Sequence, residues 1–228
     1  MSDVPLVRWR EWCEGPIRHH VINIYAQRYV WQRLHEMLAE NPNLPASYWW
    51  TYLQETYAVS QAVAIRRQAD RDKRVISLAR LIGTVQANAK SITREGWLAM
   101  WADPDDHPHA TELWETKYGD SSGKRLDRAV PAADLKRLTA AARHVKRYVD
   151  QHVAHTDSSA VAEPVTLTYD DLHDAVDVVG ELFKKYHHLL TAESYGSLVP
   201  IDIHPSWEAV FTQPWKTQPP ATATSATR

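Results

Sequence analysis

Apolar residues recur along this chain at helical spacing. Trp49, Tyr52, Leu53, Thr56, Val59 and Val63 form one stripe, and Val75, Leu78, Ala79, Ile82 and Val85 form a second. A third runs through Leu135, Leu138, Ala142, Val145 and Val149, and a fourth through Leu172, Ala175, Val176, Val179, Phe183, Tyr186 and Leu190. An earlier segment, 18–40, carries Val21, Ile24, Tyr25, Trp31, Leu34 and Leu38 in the same rhythm. Spacing of three and four lines one face of a helix that turns about 100° per residue. A half-buried strand would instead alternate with period two, and the nearest such run, 165–169, is short. The pattern therefore predicts an all-α, antiparallel helical bundle.

Punctuation agrees with the stripes. Thr168 followed by Asp171 predicts a capping box opening the fourth helix, and Pro131 ahead of Asp134 suits a helix start. Proline and aspartate over 102–109, glycine and serine over 119–124, and the stretch 156–164 predict loops. From Pro214 the chain is Pro, Thr, Ala and Ser with little to bury, which predicts a disordered tail over 214–228. The expected organisation is an N-terminal helical extension, 1–44, packed on a bundle spanning 45–213.

Composition removes whole classes of chemistry. The chain has only 7 glycines in 228 residues, under half the usual share of about 7%. Folds that cradle nucleotides in glycine-rich turns are disfavoured, and no Gly-x-Gly-x-x-Gly occurs. Gly119 to Lys124 (GDSSGK) is one residue short of a P-loop, with Arg125 where Ser or Thr would meet magnesium. A single cysteine, Cys13, excludes an intramolecular disulfide framework and a cysteine-cluster metal site. No zincin His-Glu-x-x-His, di-iron Glu-x-x-His or Gly-x-Ser-x-Gly elbow is present, so no metal or cofactor is expected. The net charge of -2 gives no global field for nucleic acid, and binding there would need a local patch. The chain contains no run of ~18 apolar residues, and its N-terminus lacks a signal-peptide pattern. A cytoplasmic protein without a membrane span is expected.

Twelve histidines are many for this length. The segment that gives some of them chemical meaning is 143–155. Wound as a helix, it turns Val145 and Val149 to the core. His144, Arg147, Tyr148, Gln151 and His155 fall on the opposite side, and His152 on the flank nearer the core. A histidine exchanges a proton near neutral pH, and an arginine fork holds a phosphate. Together they suit phosphodiester chemistry on RNA, in which a base activates the ribose 2′-hydroxyl and a cation stabilises the phosphorane-like transition state without metal. A solvated polar helix face accounts for the same residues, and both readings stand at this point. Locally, 66–80 holds six basic residues and two aspartates, and 134–155 holds five and two. Arg66, Arg67, Arg143 and Lys146 are the candidate phosphate contacts, with a helix-tethering ion pair as the other reading of Arg66, Arg67 and Asp70. The tryptophans are expected chiefly in the core. His187 and His188 are expected as partners of a helix C-terminus.

Several stretches resemble one known family. Tyr148-Val-Asp-Gln-His-Val-Ala-His155 followed by Thr156-Asp157 is similar to the motif segment of HEPN domains, in the AbiU-like abortive-infection branch. Ala64-Ile-Arg-Arg-Gln-Ala-Asp70, Ile76-Ser-Leu-Ala-Arg-Leu-Ile82, Tyr169-Asp-Asp-Leu-His173 and Trp207-Glu-Ala-Val-Phe-Thr-Gln-Pro-Trp215 resemble further parts of it, in the same order. The resemblance implies a HEPN-like helical bundle that forms a homodimer. It implies a phage-defence or toxin-type role with an antitoxin or other defence-system partner. It also implies a metal-independent endoribonuclease with an Arg-x4–6-His motif and a composite site at the dimer interface. On this chain Arg147 and His152 satisfy that spacing. With His155 as the family histidine, the arginine position falls at Val149 and Asp150 takes the adjacent polar slot. The implied catalytic set is Arg147, His152 or His155, and Asp150 or Tyr148. A helical binding and dimerisation module without catalysis is the alternative.

Overall fold

The computed structural model describes residues 4–41, 47–153, 166–203 and 207–212. Its helices are α1 (Val4–Trp12), α2 (Arg18–Ala39), α3 (Tyr48–Gln68), α4 (Leu78–Ala87), α5 (Arg94–Leu98), α6 (His107–Lys117), α7 (Ala129–Ala141), α8 (Arg143–Tyr148) and α9 (Tyr169–Thr191). Among the described residues no strand forms, and two isolated antiparallel bridges, Thr93 with Arg125 and Gly119 with Leu126, pin the loops around α5 and α6. The chain is thus all-α, as the periodicity predicts. The predicted 156–164 loop, His155 and the 214–228 tail lie outside the described residues.

Helix α9 is the axis of the bundle and packs against α1, α2, α3, α4, α7 and α8. Every residue of its predicted stripe is buried, joined by Leu182 and Leu189. Its start is the predicted capping box: Thr168 Oγ1 accepts from the Asp171 amide at 3.1 Å, and Asp171 Oδ2 accepts from the Thr168 amide at 3.0 Å. Each bond satisfies a donor that the first helical turn leaves free. Gly180 sets how closely α2 approaches. A Cβ there would lie 2.0 Å from the Tyr25 hydroxyl and 2.5 Å from Cζ, so only hydrogen at that position lets the Tyr25 ring lie on α9. Trp9 and Trp12 of α1, with Cys13 and Ile17 from the turn between α1 and α2, belong to the same core as Val85, Leu138 and Phe183.

Helix α3 forms where expected but is rolled about its axis. The buried residues are Tyr57, Gln61, Ala62, Ile65 and Gln68, whereas Trp49 and Tyr52 of the predicted stripe are 43% and 55% exposed. Two glutamines caused the misreading. Gln61 Nε2 donates to the Ile24 carbonyl at 3.1 Å, and Gln68 Oε1 accepts from the Leu78 amide at 3.2 Å. Each amide thus has one end bonded, which offsets part of the cost of burying it, while Gln61 Oε1 and Gln68 Nε2 are buried without a partner among the described residues. On the same face Trp31 of α2 stacks on Tyr57, Trp50 and Tyr169, with ring centroids 4.6, 5.2 and 5.4 Å away.

The predicted loop 102–109 is also partly helical. A 3-10 turn at Pro104–Asp106 runs into α6, which begins at His107. Asp103 caps it by accepting from the Asp105 amide at 2.9 Å. Pro104 and Pro108 each occupy a first turn, where no amide donor is needed. Five tryptophans, at 9, 12, 31, 97 and 114, are buried as expected. His187 and His188 lie near the C-terminal end of α9, as expected, and pack against the core as well. His187 is buried, and His188 sits edge-on to Trp97 and Trp101 with its pKa lowered by burial, then by the charges of Lys117, His187 and His109.

Candidate nucleic-acid interface

The third stripe is buried throughout, from Leu135 to Val149. A single residue, Ala142, still in the right-handed helical region, separates α7 from α8, and the bond from the Lys146 amide to the Ala142 carbonyl, at 2.8 Å, carries the helix on. The outer residues of α7 and α8 share one side of this stripe. Lys136, Arg143 and Arg147 stand seven and four residues apart, with Thr139, Lys146 and Asp150 between and beyond them. At 100° per residue these fall within an arc of about 100°, little more than one quadrant.

That quadrant faces the end of α3 and the loop after it. Between them lies a groove of about 1010 Å³, with Leu135 and Ala142 among its lining and Arg66, Arg71, Lys136, Arg143, Lys146 and Arg147 as its cations. Asp70, Asp72 and Asp150 are its acids, so six positive charges meet three negative ones. The α3–α4 loop is tied down. Asp70 Oδ1 accepts from the Asp72 amide at 2.8 Å, and the Ser77 hydroxyl donates to the Asp70 carbonyl. Asp72 holds Arg74 at 2.7 Å, and hydrogen bonds from Arg74 lower the Asp72 carboxyl to about 2. Two of the three groove acids are thus already engaged by arginines, since Arg66 Nε donates to Asp150 Oδ1 at 2.8 Å.

The structure brings Arg66, Arg143, Lys146, Arg147 and Asp150 to this one surface. Among the described residues it does not bring the other candidates there. Arg67, one residue on from Arg66, turns to α2, where Nη1 lies 3.3 Å from His20 Nε2. Tyr148 is half-buried, with its ring 5.3 Å from that of His152. His152 is exposed rather than turned toward the core. The reason is local: residues Val149–Val153 form a π-type turn, which places an extra residue in the turn and shifts all that follows. The core stripe therefore ends at Val149, and Val153 is 37% exposed. Arg71 and Lys136 were missed by sequence reasoning. The seven-residue step from Lys136 to Arg143 was the available signal for one of them. For Arg71 nothing local marked a groove wall.

Residues able to hold a metal ion converge elsewhere. Glu14, His187 and Glu193 place ligand atoms within 4.8 Å of one another, and none of the three lines the groove. No helix among the described residues is long and apolar enough to cross a membrane.

Comparison with known families adds what geometry alone does not. A family model described as AbiU2, of the HEPN class, matches residues 8–204. The chain belongs to the HEPN AbiU2 family. The match runs from α1 through α9 and takes in the groove, so in this HEPN AbiU2 protein the basic surface is part of the family domain. It is accordingly an abortive-infection, HEPN-type protein. Neither the curated proteins nor the solved structures contain a match to it.

Proposed function

We propose that this protein acts on RNA, with the groove between α3, α7 and α8 holding the ribose–phosphate backbone. The observation that carries this reading is the six-cation groove on a chain whose net charge is -2. A local excess of cation in an acidic whole draws in a polyanion at one place only. Arg147, on the groove and exposed, is suited to stabilise charge developing at phosphorus. A histidine that follows Arg147 in the sequence, His152 or His155, acts as base toward the 2′-hydroxyl. The reaction needs no metal in this scheme. Two protomers pair through these helices, so that a histidine of one completes the arginine site of the other.

The test is cleavage of several RNAs by the purified protein. The expected result is EDTA-resistant cleavage leaving 2′,3′-cyclic phosphate ends, lost in Arg147→Ala and in one of His152→Ala or His155→Ala. RNA bound by the groove but left intact would favour the second reading, a binding module without catalysis. That reading is supported by one feature: Asp150, the polar residue nearest the motif, is taken up by Arg66 and is not free to orient a histidine.

A further inference from the structure

A second cavity, of about 730 Å³, opens on the far side of α7 and has no part in the RNA reading. Its walls are one side of α6 from His109 to Lys117, with Tyr118, the C-terminal half of α9 and residues 194–195, and Asp134 and Arg137 contributed by α7. Four cations line it, Lys117, Arg137, Lys184 and Lys185, against two carboxylates, Asp134 and Glu181. Both carboxylates are consumed. Arg137 Nη2 pairs with Glu181 at 2.5 Å, and Lys185 Nζ with Asp134 at 2.7 Å. Asp134 also accepts from the Tyr186 hydroxyl at 3.0 Å. Lys184 Nζ donates only to the Gly196 carbonyl, at 2.5 Å, and Lys117 makes no ion pair among the described residues. Among the described residues, two ammonium charges are therefore left without a counter-ion at one cavity.

A polar pair stands beside them. Tyr118, 2% exposed, has its hydroxyl 3.3 Å from the Lys185 carbonyl and 3.1 Å from His188 Nδ1. A phenol has one hydrogen to give. Given to the carbonyl, it leaves the phenol oxygen to accept from Nδ1–H, and a neutral His188 then presents Nε2 as an acceptor. The pocket thus combines two unneutralised donors of positive charge with a proton acceptor. Its size lies within the ~300–1,000 Å³ of small-molecule sites.

We infer that this cavity is a binding site for a small phosphate monoester, whose anionic oxygens take Lys117 and Lys184 and whose remaining acidic hydroxyl, in the monoanion, donates to His188. It is separate from the RNA groove: α7 offers Arg137 to one and Lys136 to the other.

Titration of the full chain with glycerol 3-phosphate and with inorganic phosphate at constant ionic strength tests it, followed by the imidazole NMR signals of His188. The expected result is a saturable shift, at lower concentration for glycerol 3-phosphate because the cavity exceeds the size of a bare anion. Affinity should fall at least fivefold in Lys117→Met and in Lys184→Met, and stay unchanged in Lys136→Ala and Lys146→Ala. The two methionine variants keep the aliphatic stem and break no ion pair, and circular dichroism confirms their folding. A non-saturating shift, inorganic phosphate binding more tightly than the ester, or wild-type affinity in both methionine variants would overturn the assignment. RNA binding at the other groove is read out independently.

Discussion

Arg66, in the last turn of α3, donates to Asp150 in the wide turn after α8, at 2.8 Å, and both side chains remain about two-fifths exposed. The bond joins the two walls of the basic groove. A half-exposed pair of this kind is worth roughly 0.2–1 kcal/mol, little enough for a phosphate to displace the carboxylate. Asp150→Asn is therefore expected to raise RNA affinity severalfold, by freeing a guanidinium as well as removing a negative charge. Fluorescence anisotropy at fixed salt measures this. In an Arg66→Ala background the same substitution should gain much less, and an equal gain there would show that Arg66 does not contact RNA.

Salt dependence gives a second reading of the groove. Each phosphate contact to single-stranded nucleic acid contributes about -0.7 to the slope of log K against log salt. Arg143→Ala and Lys146→Ala are each expected to flatten the slope by about that amount. Arg67→Ala, on the His20 side of α3, should leave it unchanged.

Gly180→Ala is expected to destabilise the fold by ~1–3 kcal/mol, the usual range for forcing atoms into a packed core. The added methyl would meet the Tyr25 ring. Urea denaturation reads the loss. Tyr25→Ala in the same chain should recover part of it, because the ring is the obstacle, and strict additivity of the two changes would contradict the geometry.

Stability should fall as the solution is acidified. Burial holds the pKa of His188 below its usual 6.5, and His20 and His173 are lowered in the same direction with burial as the leading cause. Between each folded value and 6.5 the unfolded chain binds more protons, so stability rises with pH across that window and is lost as pH drops below about 6.5. Denaturation midpoints at pH 7.5 and pH 5 measure the difference. It should shrink in His188→Gln.

Cys13 is fully enclosed, and burial, aided by the nearby Glu14 charge, raises its thiol to about 12. Because the thiolate is the reactive form, iodoacetamide is expected to spare the native protein and label it stoichiometrically in denaturant. Rapid labelling of the folded chain would refute the packing of the α1–α2 junction.

What could be read before folding, and what could not, divides along physical lines. The stripes of α7, α8 and α9 were legible because their inward residues are chiefly apolar and many of their outward ones charged. Helix α3 was legible as a helix but not in its roll, because Gln61 and Gln68 lie inward on backbone partners while Trp49 and Tyr52 lie outward. Half the groove was legible as well, since Arg143, Lys146 and Arg147 are consecutive on one helix. Its other half depends on a tertiary meeting with α3 and Arg71 that no local pattern announces. The position of His152 depends on a change of helical pitch, and periodicity assumes the pitch is constant.

That change of pitch makes the motif helix a two-part device. Upstream of Val149 its orientation is clamped by the core, while downstream it is offset by one added residue, about 100° on an α-helix. Removing Gln151 alone would turn His152 by one residue, about 100°, while the buried stripe that ends at Val149 stays in place. In this lineage the heading of His152 is therefore open to change by a one-codon deletion, a far shorter evolutionary step than rebuilding the residue's surroundings.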